Sequence, residues 1–111
     1  IEICKGICHA WNDRITSVQG DSVANLTSME TDGTLERIDF AFLDAANDAD
    51  HTWREFRAIE GSLRAGSVLV VDDVLRAKKG HRVLPYLRSR RDWSLIVYDY
   101  ENGLVAACKL N

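Results

Sequence analysis

The sequence predicts an α/β fold, a mostly parallel sheet ending in an antiparallel hairpin, and three observations carry that prediction. First, Arg37–Asp44 and Ser67–Asp73 are short apolar runs, rich in β-branched or aromatic residues, that each stop on carboxylate. Runs without polar alternation read as strands buried on both faces, the habit of parallel sheets. Second, Trp53, Phe56, Ala58, Ile59 and Leu63 recur at helical spacing within His51–Leu63, so the region reads strand, helix, strand. Such a crossover is right-handed and brings Asp44 and Asp72-Asp73 to one edge of the sheet, the edge where open α/β sheets bind ligands. Third, Glu101-Asn102-Gly103 separates two apolar runs and signals a hairpin, because Asn-Gly supplies the positive φ of a tight turn.

Taken in order, Ile1, Cys4, Cys8 and Trp11 share one stripe, so residues 1–11 read as a helix despite Gly6, ended by Asn12-Asp13. Ile15–Gln19 is a strand candidate stopped by Gly20-Asp21-Ser22, and Val23–Met29 is a short helix or turn before the loop Thr31–Thr34. After the strand–helix–strand unit, with Gly66 closing its helix, Val74–Gly80 reads as a polar, basic connection. His81–Arg91 reads as a helix carrying Val83, Leu84 and Leu87, in which Pro85 marks a kink or a late start. Trp93–Tyr98 and Leu104–Leu110 are the hairpin strands. The expected total is five strands and about four helices in a single domain, 1–111, with no repeats and no internal linker.

A length of 111 residues bounds the chain to one domain, and 46% hydrophobic with 28% charged residues fits a soluble globular protein. The net charge of −3 and pI near 5.5 argue against a nucleic-acid partner. Arg76–Arg82 and Arg88–Arg91 are basic clusters best read as solvated loop and helix faces. Three cysteines without framework spacing point to a reducing, cytoplasmic setting, with Cys108 in an apolar strand. No apolar run is long enough to span a membrane, and no signal peptide is visible. The first residue is Ile1, not methionine, so the chain is expected to be part of a longer one.

Adjacent strands lie about 4.8 Å apart, so carboxylates at neighbouring tips share a small volume and raise one another's pKa if left unpaired. Asp44, Asp72 and Asp73 therefore bind a hard cation such as Mg²⁺ or Ca²⁺, accept hydrogen bonds from a ligand's hydroxyls or ammonium, or cap the following loops and helices. Gly20-Asp21-Ser22 ends its strand in a similar way but is also good turn chemistry. His51 opens a helix, where substrate contact or proton transfer competes with a surface or capping role. His9 and His81 have surface readings, and the Cys and His spacings match no zinc site.

The stretch "ERIDFAFLDA", a helix, and then "LRAGSVLVVDDV" resembles the second half of class I S-adenosylmethionine-dependent methyltransferases, most of all small-molecule O-methyltransferases. "ITSVQGDS" is similar to their preceding strand, and Trp93–Leu110 to their reversed terminal strand. The resemblance implies a Rossmann-like sheet with S-adenosylmethionine as cofactor, a small-molecule acceptor and, in the cation-dependent branch, Mg²⁺. It places Asp21 and Ser22 beside the adenine, and Asp44 with Ala45 at the cofactor's methionine end. It makes Asp44, Asp72 and Asp73 the metal set, with Asp44 and Asp72 catalytic. There the metal positions a hydroxyl for in-line attack on the methyl group. Glu2 is a candidate for the ribose, although residues 1–11 fit the family's next helix at least as well.

The departures are that no G-x-G-x-G occurs and that "PGG" is replaced by Arg64-Ala65-Gly66-Ser67. The family's first strands are missing; two of them would lie between the Ile15 and Ile38 strands. The chain alone is therefore expected to bind cofactor weakly or not at all. A homodimer that completes the sheet is one way to fill that gap. The alternative function is a non-catalytic α/β interaction module or partner subunit derived from a methyltransferase. A phospho-receiver is disfavoured, because its acidic pair precedes the acceptor aspartate, the reverse of the order here.

Overall fold

The structure, a computed structural model, describes residues 14–45, 48–76 and 78–111. The helix expected over 1–11, with Glu2, Cys4, Cys8 and His9, lies outside the described residues.

Helix α1 spans Ser22–Thr31, and Asp21 caps it by accepting a hydrogen bond from the Ala24 amide at 2.8 Å. Strand β1 is Ile38–Leu43, helix α2 Ala49–Glu60 and strand β2 Leu63–Asp72. A 3₁₀ turn at Lys78–Gly80 leads to helix α3, Val83–Ser89, and then to β3, Trp93–Tyr98, and β4, Leu104–Lys109. The sheet order is β1-β2-β4-β3. β1 and β2 are parallel, as the crossover predicts, while β4 runs antiparallel to both β2 and β3. The reversed strand sits inside the sheet rather than at its edge, so antiparallel pairs outnumber the parallel one among the described strands.

Local pattern misplaced three features. Ile15–Gln19 forms no strand; an extended segment becomes one only with a ladder partner, and none flanks it among the described residues. Gly66 does not close the helix. α2 stops at Glu60 with Gly61 as its cap, and Gly66 lies inside β2 at φ +91°. There the register slips, Ile38 facing Leu63 but Phe40 facing Val68, so β2 carries the longer arc. Ser67 clasps that arc, its hydroxyl accepting from the Arg64 amide at 2.8 Å and donating to the Ile38 carbonyl at 2.6 Å. Pro85 marks the late start, since α3 begins at Val83 and Pro85 falls in its first turn, where amides lack intrahelical partners.

The third feature is burial. The core lies on one face of the sheet, where Leu43, Leu69, Val71, Val105, Ala107 and Trp93 meet Phe56 and Ile59 of α2 and Val83, Leu84 and Leu87 of α3. Phe56 is fully buried, with ring centroids 5.5 Å from Tyr86 and 5.8 Å from Trp53. On the opposite face Phe40 and Phe42 are 62% and 53% exposed, and Ile96 and Tyr98 are exposed on β3 at the other edge of the sheet. Among the described residues β1 and β2 are therefore covered on one face, because the described helices that pack on the sheet do so from one side. At the far end, Asp92 joins Arg90 and Lys109 in an ion cluster that ties β3 to β4. Among the described residues no helix is long and apolar enough to cross a membrane.

Candidate functional site

Because β1 and β2 run the same way, both chains leave the sheet at one edge and on the same amino acid. Asp44 follows β1, Asp72 ends β2 and Asp73 comes next. One carboxylate oxygen from each of the three lies within 4.8 Å of the others. The rim expected from the sequence therefore forms. Asp73 adopts φ 58°, the left-handed region that aspartate tolerates better than most side chains. Asp44 is exposed, whereas Asp72 and Asp73 are half-buried.

Lys79 completes the cluster. Its side chain is only 2% exposed, and its ammonium donates to an Asp44 oxygen at 2.7 Å and lies 3.8 Å from Asp73. Sequence reading grouped this residue with a solvated basic cluster; it is instead one of the most buried side chains in the molecule. Two anchors hold the connection that carries it. At its start, the amides of Val74, Leu75 and Arg76 donate to the carbonyls of Gly103 and Asn102 in the hairpin turn. At its end, Gly80 packs on Val74 so closely that a Cβ there would stand 2.5 Å from the Val74 carbonyl oxygen and 2.6 Å from its Cα. Only glycine admits that approach, and it keeps the turn, and Lys79 with it, pressed against the end of β2.

The other expected residues sit apart. Asp21 spends a carboxylate oxygen on the α1 cap and is not part of the cluster. The Ser22 hydroxyl lies 2.9 Å from His51 Nε2, which is also 3.8 Å from Glu55, so His51 is engaged within the α1–α2 packing. Ala45 is exposed immediately after Asp44. On α2, Thr52 and Glu55 each keep a buried side-chain oxygen without a hydrogen-bond partner among the described residues. Glu55 helps line an apolar groove of about 430 Å³ with Ser22, Phe40 and Phe42.

The rim's chemistry can be tested against a divalent ion. Its donors are of the right kind, since hard cations take carboxylate oxygen. Its cation position, however, is already charged. An ammonium hydrogen-bonded to one Asp44 oxygen and 3.8 Å from Asp73 takes up part of that position and repels a doubly charged ion twice as strongly as a singly charged one, while the remaining oxygens stay open as acceptors. Lys79 therefore weighs against a divalent ion at the point between Asp44 and Asp73. The same carboxylates do suit an organic cation or hydroxyl approaching from the exposed Asp44 side, because they are hydrogen-bond acceptors only.

Residues 8–74, more than half of the chain, match the methyltransferase domain family. A search of curated proteins found no match. Among solved structures, an O-methyltransferase from Bacillus cereus in complex with SAH superposes at TM-score 0.79 with 20% identity, over 97% of this chain and 57% of that one. A methyltransferase from Geobacter sulfurreducens gives TM-score 0.64 at 19% identity, over 100% and 53%. An rRNA methylase from Streptococcus thermophilus gives 0.53 at 21%, over 68% and 49%. The chain thus spans about half the length of these structures, and at such identity the likeness is one of fold. The matched strand–helix–strand unit, the reversed C-terminal hairpin and the sequence match agree: the chain belongs to the methyltransferase domain family.

Proposed function

We propose that the chain is the C-terminal part of an S-adenosylmethionine-dependent methyltransferase acting on a small-molecule hydroxyl. The observation that supports this most is the convergence of Asp44, Asp72 and Asp73 at the carboxyl end of the parallel pair β1 and β2. S-adenosylmethionine supplies a methyl group on a positively charged sulfonium. Asp44, with Ala45 beside it, stands at the cofactor's methionine end, where its carboxylate attracts that charge and the α-ammonium. Asp72 would accept a hydrogen bond from the acceptor hydroxyl, hold it in line and take its proton as the oxygen–methyl bond forms and the sulfur–methyl bond breaks to leave the neutral thioether. Asp21 and Ser22 line the adenine side. The acceptor class rests on the O-methyltransferase likeness; the rRNA methylase on the same fold makes a charged polynucleotide the competing acceptor, which the net charge of −3 disfavours. Cytoplasmic location and self-association into a homodimer belong to the same reading.

Isothermal titration with S-adenosylmethionine is the test. A longer gene product carrying a Gly-rich loop binds at sub-millimolar cofactor, whereas the 111-residue chain alone binds weakly or not at all. Absence of heat from the longer product overturns the proposal and favours the non-catalytic interaction module.

A further inference from the structure

We infer that Lys79 is the resident cation of the Asp44–Asp72–Asp73 rim and that the rim works without a divalent metal. The inference rests on the reading of this rim as the reactive edge, and it replaces the Mg²⁺ that the family resemblance implies. Three observations carry it. The ammonium touches Asp44 at 2.7 Å and lies 3.8 Å from Asp73, so it holds positive charge in the space between those carboxylates that a shared metal would need. The side chain is 2% exposed, so leaving the rim means carrying a charge through packed protein rather than swinging into water. Its backbone is fixed by the Gly80–Val74 approach and by the amide bonds of Val74, Leu75 and Arg76 to the hairpin turn.

Lys79 is thus a positioning residue. It fixes the Asp44 carboxylate and offsets part of the rim's negative charge, two tasks otherwise performed by a divalent ion. Its single charge leaves the cluster net anionic, which suits a cationic cofactor better than a metal-neutralised rim does.

Mn²⁺ serves as the probe, titrated without cofactor into the wild-type chain and into Lys79→Met, with binding read by electron paramagnetic resonance. Wild type shows no saturable site at sub-millimolar Mn²⁺. Lys79→Met gains one, its affinity higher by roughly thirtyfold, the effect of removing a unit charge about 4 Å from a doubly charged ion in a water-like medium. A sub-millimolar site in the wild type overturns the inference, and so does a folded Lys79→Met with no gain. A lysine with a merely structural role loses stability on substitution and gains no metal. A second measurement needs no variant: acetylation of Lys79 in the wild type, followed by mass spectrometry, stays low and unchanged in millimolar Mn²⁺. A rise on adding Mn²⁺ shows the ion displacing the lysine and is equally fatal. Failure of the cofactor titration described above leaves these results untouched, so the two readings fail separately.

Discussion

The Asp44–Lys79 pair makes an asymmetric prediction about stability. Removing one partner of a buried ion pair typically costs about 3–5 kcal/mol, because the survivor is left charged and dry. Here the partners differ, Lys79 being 2% exposed and Asp44 44%. Asp44→Asn strands the buried ammonium with Asp73 alone, at 3.8 Å. Allowing for the water that already reaches Asp44 and for this second carboxylate, the cost falls to about 2 kcal/mol. For a domain of this size that is a drop in Tm of roughly 8 °C. Lys79→Met removes the charge that is expensive to bury and leaves a carboxylate that water can solvate, so it costs about 1 kcal/mol or less. The double variant should lie close to Lys79→Met, giving a coupling of about 1–2 kcal/mol. Urea denaturation of the four proteins at neutral pH measures all these terms. Additive effects, or Asp44→Asn within about 0.3 kcal/mol of wild type, would refute the contact.

Two further substitutions probe the frame around the rim. Gly80→Ala forces a methyl group onto the Val74 backbone and should cost about 1–3 kcal/mol, with acetylation of Lys79 rising as the turn lifts; a urea midpoint equal to wild type contradicts the close approach. Asp92 is held well below the usual carboxylate range, chiefly by its hydrogen bonds to Arg90 and then to Lys109. A carboxyl depressed in the folded state stabilises above its unfolded pKa of about 3.9, and that contribution fades as pH falls toward the folded value. Asp92→Asn should therefore be less stable than wild type at pH near 6. The gap should narrow progressively below about pH 4 in urea curves, and a constant gap argues against the ion cluster as its source.

The rim was legible because it follows from direction alone. Two apolar runs joined by a helical pattern must be parallel, and parallel strands deliver Asp44 and Asp72 to one edge whatever the details. Features that depend on partners distant in sequence were not legible. Leu63 continues the helical spacing of Phe56 and Ile59, yet it belongs to β2 because it pairs with Ile38. Ile15–Gln19 has strand composition but no ladder partner among the described residues. Phe40 and Phe42 have the composition of doubly buried positions, and which face is covered depends on where the helices pack. Lys79 is the instructive miss. In a run of Arg76, Lys78, Lys79, His81 and Arg82 nothing local singles out Lys79 as the buried cation. The adjoining Gly80 was the available clue, a residue without a side chain where the connection has to press against another backbone.

The C-terminal hairpin contributes no carboxylate to the rim, yet the turn at Asn102-Gly103 receives the amides that anchor the Lys79 connection. Gly103, at φ +83°, leaves no room for a side chain against Leu75, whose Cγ would stand 2.5 Å from a Cβ there. A truncation that keeps every acidic residue but deletes this clasp would unfasten the lysine from behind. In this molecule the C-terminal hairpin works as a latch, and the acidic rim depends on residues it never touches.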